Sequence, residues 1–378
     1  MAEQAASGAA LHPSQARALE NMRAQALSLR SAGIATLEHI FLMSDIPPSS
    51  LSCALSSIRN HARIALHFHP DRPARDGRTV ARALLDNGEY RSQFETGISN
   101  GSVSAHPGGA RDEWERALFE GAYHIPELNV QGSHRPKYGA LDLVRNPDGP
   151  AIRFGSCFFL LKPEVSRRST FTFGGSQDLP KYRGTAEVLE PVLAALFEEC
   201  FFRDFALGVP GIRPPELVDT LLKLSAPVEE SFVHRPPSRN LDHVVEAQVH
   251  GDVRLGTDVE LLVADPSFQG TDTGANLESM AAKYSFPLVW HGGFRLKVEE
   301  VPSNYRGPTM PSLATRVGRG GYVDARAIGE AVCTLIADPA KWTDRGPFAD
   351  VLQELKLLWH VLVRFGESAN TSGPGAVA

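Results

Sequence analysis

The sequence predicts an α+β fold with a mixed or antiparallel sheet at its core and helices at the N- and C-terminal ends. Three observations predict it. Strand-like segments cluster between about residues 138 and 300. Helical periodicity governs the chain before and after them. Hydrophobic residues make up 42% of 378, enough for a sizeable core.

The N-terminal helices come first. Residues 1–13 are small and polar and read as disordered, and residues 14–50 as a helical extension. Pro13-Ser14 opens the stretch SQARALENMRAQALSLRSAG, which Gly33 is expected to stop. PPSS starts a second helix with Leu51, Leu55, Ile58, Ala62 and Ala65 on one face and Arg59 and Arg63 on another. In IALHFHP the period shifts from helical towards two, so either the helix ends there or a short strand begins.

Residues 51–366 then read as a single α+β unit. Trp114, Leu118 and Tyr123 mark a short helix between loops. KYGALDLV alternates, AIRFGSCFFLLKP is a continuous apolar run, and RRSTFTFGGS sets Thr170 and Thr172 against Phe171 and Phe173. AEVLEPVLAALFEECFFRDFALG predicts a long helix ending near Gly208, HVVEAQVHGDVRL a strand, and DVELLVADPSF a short helix closing on Pro266. The last helix carries the apolar stripe Phe348, Val351, Leu352, Leu355, Leu358, Trp359 and Leu362. Residues 367–378 read as a disordered tail.

Composition excludes several classes. A net charge of −6 and a pI near 6.1 argue against a general nucleic-acid binder. No stretch reaches the roughly 20 apolar residues of a membrane span, and the first residues lack a secretory signal pattern. A cytoplasmic location is expected, with secretion as an effector as the other possibility. Cys53, Cys157, Cys200 and Cys333 form no CxxC pair, which suggests reduced thiols. GxGxxG and GxxxxGK[ST] are both absent.

Several stretches, taken in order, resemble one bacterial family, the domain of unknown function 3626. They are HFHPDR, YRSQFETGISNGS, WERALFEGAYH, RPKYGALDL, FGSCFFLLKP, RSTFTFGGS, EAQVHGDVRL and LLWHVLVRFG, and the resemblance runs from about Cys53 to Gly366. The family name implies no activity, so function has to come from the residues.

IALHFHPDR admits three readings. His69-Pro70-Asp71 resembles the co-chaperone tripeptide of a J-domain, a binding module, but RTVARALLDNG meets Gly88 after about three turns where a long helix is needed. His67 and His69 lie two apart, so on a strand they share a face and start a metal site for a hydrolase. Asp71, His106, His124 and His134 are candidate further ligands, though none forms a compact motif.

The third reading is that the motif order resembles ADP-ribosyltransferase-type domains. These draw an early arginine or histidine, a central Ser-Thr strand and a late glutamate from separate strands. Here Arg72, Ser169-Thr170 and Glu246 follow in that order. The resemblance implies NAD as substrate, a protein acceptor, and a toxin or effector role. It implies Glu246, Gln248 and Arg72 as catalytic residues. His69, Arg72, Gln93, Asn100, Tyr138, Ser169 and Thr170 would hold the dinucleotide. Phe171 departs from the pattern, standing where a further small residue is usual. Glu246, Gln248 and His250 share one strand face, which suits either a site or a solvent edge. Glu95 is the rival carboxylate and leaves a carboxylate-dependent hydrolase open.

Overall fold

The computed structural model describes residues 10–74, 76–98, 105–227 and 236–369. One eight-stranded sheet organises them. Its strands are β1 (Arg63–Phe68), β2 (Lys137–Asp142), β3 (Cys157–Leu161), β4 (Ser169–Phe173), β5 (Arg183–Thr185), β6 (Val245–Val249), β7 (Val259–Ala264) and β8 (Leu288–Trp290). They lie in the order β8-β7-β3-β1-β2-β6-β4-β5. Only the β7–β8 pair is parallel within this sheet. The fold is therefore α+β with a mixed sheet and helices at both ends, as the sequence predicts.

The sheet is covered on both faces. Ile64, Leu66, Phe159, Phe171, Ala247 and Val249 join the main apolar core, while Ala65, Phe158, Leu160, Leu261 and Val263 form a smaller cluster on the other face. Every residue of β6 is buried, so its polar face is not a solvent edge.

Helix α1 runs Pro13–Met43 and passes straight through Gly33. The expectation of a stop there is corrected. A Cβ at Gly33 would lie 3.1 Å from the backbone of Glu190 and Pro191, so the missing side chain serves close packing against the helix Glu190–Arg203. Arg30 pairs with Glu190 at 2.8 Å across the same contact. Two further expectations are corrected. The Glu190–Arg203 helix ends at Asp204, which takes a left-handed conformation, ahead of Gly208. VELLVA is strand β7, not a helix, because its apolar run is buried between β3 and β8. IALHF is strand β1.

The ends of the chain also differ from the sequence reading. His12 caps α1, and its ring stacks on His134 at 3.8 Å. Glu367 exchanges backbone hydrogen bonds with Arg295 at 2.8 Å in each direction, so residues 367–369 are part of the fold. The expectations for residues 1–9 and 370–378 lie outside the described residues.

Candidate functional site

Strand β1 delivers the HFHPDR stretch to one end of the sheet. His67, its last inward residue, is fully engaged: its Nδ1 sits 3.1 Å from the Gly155 carbonyl, and the Ala151 N–H donates to its Nε2 at 3.3 Å. Burial, set against the Gly155 bond, pushes its pKa down to about 3. A neutral ring with both nitrogens occupied by backbone has no lone pair for a metal. His124 bonds Asp112 at 2.8 Å, and His134 stacks on His12. Among the described residues no group of three or more His, Cys, Asp and Glu side chains could hold a metal ion.

After Phe68 the chain turns. Pro70 and Asp71 of the tripeptide are buried. The Asp71 carboxylate lies against Gly329, where a Cβ would come within 1.5 Å of its Oδ2. That oxygen has no hydrogen-bond partner, and burial raises the pKa to about 7. The next helix, Val80–Asn87, is eight residues long and ends on Gly88 in the left-handed conformation.

His69 and Arg72 instead face a cavity of about 330 Å³. Gln93, Glu95, Lys137 and Tyr138 share its walls. The volume lies in the range of small-molecule sites. Among the described residues, neither the His69 ring nitrogens nor the Arg72 guanidinium has a hydrogen-bond or ion-pair partner. Burial, then Arg72, keeps His69 neutral. Glu95 accepts the Ser92 N–H at 2.8 Å as part of a capping box. Lys137 donates to the carbonyls of Ser133 and Gly251 at 3.0 and 2.9 Å. Gln93 Oε1 is buried without a partner.

Tyr138 is the hinge between this cavity and a second polar group. On β2 it stands opposite Gln248 of β6, and Gln248 stands opposite Thr170 of β4. The Thr170 hydroxyl donates to Gln248 Oε1 at 2.8 Å, and Gln248 Nε2 donates to Glu246 Oε1 at 3.0 Å. The Ser176 N–H also donates to Glu246 at 3.2 Å. Burial raises the Glu246 pKa, against these bonds and the Arg111 charge. Glu246, Gln248 and Thr170 are buried and do not line the cavity. Ser169 faces the opposite side of the sheet, and its hydroxyl donates to the Val165 carbonyl at 2.9 Å. Asn100 lies outside the described residues.

Sequence reasoning missed what covers this polar face. Helix Ala110–Leu118 and the turn after it lie over it. Tyr138 donates to Glu115 at 2.9 Å, and Arg135 joins Glu115 to Asp112. Tyr123 bonds His250 Nδ1 at 2.5 Å. The charged run RDEWER was the available signal, since Asp112 and Glu115 fall three apart on one helical face.

A search of the curated proteins finds no match. A family model does match, over residues 63–365, which takes in every strand of the sheet and all of the cavity wall. The chain belongs to the family described as "Protein of unknown function (DUF3626)".

Proposed function

We propose that the protein is an NAD-cleaving enzyme of ADP-ribosyltransferase type, transferring ADP-ribose to a protein acceptor or to water. The observation that supports this is one of adjacency. The residues the chemistry calls for come from the turn after β1 and from β2 and β6, strands that are neighbours in the sheet. His69, Arg72 and Tyr138 meet at one cavity, and Tyr138 stands directly across from Gln248, which bonds Glu246.

In this reading Arg72 offers its planar fork to phosphate oxygens. His69, neutral, bonds a ribose hydroxyl. The nicotinamide stacks on Tyr138, and the sugar is drawn to the edge of the Gln248–Glu246 pair. Breaking the bond to nicotinamide builds positive charge on the sugar, and a fixed carboxylate stabilises it. Gln in place of a second glutamate points away from an arginine acceptor. Secretion as an effector is part of the same proposal.

Nicotinamide release from NAD, with and without a cell lysate as acceptor source, tests the reading. Glu246→Gln should lower turnover by about 10²-fold or more with little change in NAD affinity. Arg72→Ala should chiefly weaken NAD binding. No release under either condition, with no NAD binding by calorimetry, removes the reading.

One observation favours a second reading. Glu95 lines the cavity and Glu246 does not. A carboxylate-dependent hydrolase would lose its activity in Glu95→Gln and keep it in Glu246→Gln.

A further inference from the structure

A cluster of cations lies next to the cavity and shares Arg72 with its wall. The helix Phe348–Phe365 sets Lys356 and His360 one turn apart on the same face. Trp359 ties that helix to two other segments. Its Nε1 donates to the Ile152 carbonyl at 2.9 Å, and its ring meets His69 edge-on at 5.4 Å. The Ile152–Phe154 turn brings Arg153 to the helix, and the His69 turn brings Arg72.

The nitrogens here are under-used. His360 is 1% exposed, and neither of its ring nitrogens has a hydrogen-bond partner. The Nε atoms of Arg153 and Arg306 are also buried without partners. Three side chains thus hold four unsatisfied buried nitrogens, in a fold that satisfies most of its buried polar atoms.

The cations also act on one another. Burial, then Arg153, Arg306 and Lys356, push the His360 pKa down to about 3, so its ring is neutral. Burial, then Arg153, Arg72 and Arg306, push Lys356 down to about 8. The cations therefore sit close enough to repel one another. Acids meet two of them: Asp242 accepts from Arg153 at 2.6 Å, and the nearby Asp71 charge raises the Arg72 pKa against its burial. Among the described residues Arg72 and Arg306 have no ion pair. Half-buried like charges with unfilled donors are a stable arrangement when an anion fills the space between them.

We propose that Arg72, Arg153, Arg306 and Lys356, grouped around His360, bind a phosphoryl group of a nucleotide. Guanidinium forks and an ammonium match the several oxygens of a phosphoryl group better than the two of a carboxylate. Arg72 belongs to this cluster and also to the wall of the 330 Å³ cavity. A diphosphate held here continues into whatever occupies the cavity. The identity of that occupant rests on the NAD-cleaving reading, while the anion site does not.

Calorimetry on the full chain with ADP and with inorganic pyrophosphate tests the proposal. Wild type should bind ADP. Arg306→Gln and Lys356→Gln should each weaken ADP about 10-fold, with melting temperatures unchanged. ADP bound more tightly than pyrophosphate supports a nucleotide as the source of the phosphoryl group. Pyrophosphate binding without ADP binding overturns that assignment. Binding of neither ligand, or wild-type ADP affinity in both variants, overturns the site. Nicotinamide release is read in parallel. Release that neither variant alters in KM sinks the anion site and leaves the NAD reading standing. ADP binding that the variants weaken, without any release, does the reverse.

Discussion

Tyr138 stands directly opposite Gln248 on the neighbouring antiparallel strand, and its hydroxyl donates to Glu115 at 2.9 Å. One side chain therefore belongs both to the cavity wall and to the buried polar network behind it. Arg111 lies over the same ring, with its guanidinium carbon 5.0 Å from the centroid.

Tyr138→Phe should separate these roles. It keeps the ring against the cavity and removes the bond to Glu115. Urea unfolding should show a loss of about 1 kcal/mol. NAD affinity should hold in Tyr138→Phe and fall about 10-fold in Tyr138→Ala, where the stacking surface is gone. Equal affinity in the two variants would count against a ligand stacked on Tyr138.

Asp71 gives a pH prediction. Its pKa rises from 3.8 unfolded to about 7 folded, because burial penalises the charge. Between these values the folded chain holds a proton that the unfolded chain has lost. Its contribution to stability is thus complete at low pH and shrinks as pH rises through this window, by up to about 1.4 kcal/mol per unit. Asp71→Asn should flatten that slope in urea midpoints measured from pH 4 to 7. A slope as steep as wild type would show that Asp71 does not titrate there.

Gly329 tests the same contact sterically. A methyl group there would collide with the Asp71 carboxylate. Gly329→Ala should cost about 1–3 kcal/mol, as over-packing does. Asp71→Ala in the same chain should return much of the loss. Two independent, additive losses would mean that the two sites do not touch.

Zinc should do nothing. Both ring nitrogens of His67 are bound to backbone. Neither added zinc nor a chelator should shift the melting temperature by more than the scatter between repeats. A rise on adding zinc, lost in His67→Ala, would reopen the metal site.

Most of the sheet is legible in the sequence because its strands are bounded by turn residues and carry clear periods. KYGALD, CFFLL and STFTF show this directly. VELLVA misleads, since a short apolar run fits a strand or a helix and only its neighbours decide. Gly33 misleads for a related reason. Its local preference is to end a helix, and a partner far along the chain overrides that. For the site, HFHPDR and the Tyr138 strand point to the cavity. Period two puts Glu246 and Gln248 on one face, but it cannot say that helix Ala110–Leu118 covers that face. The Arg153–Arg306–Lys356 cluster draws on three distant segments and has no local pattern to betray it.

The contact of Gly33 with Glu190 and Pro191 has a consequence for how the chain is made. Helix α1 is translated ahead of the Glu190–Arg203 surface it docks on, by roughly 10–30 s at ~5–20 residues per second. During that interval Leu37, Ile40 and Phe41, which join the core with Leu193 and Phe197, lack that helix to dock on. The nascent chain therefore carries an open apolar stripe along helix α1. Chaperone engagement during synthesis should centre on that stripe and cease once residues 190–203 clear the exit tunnel.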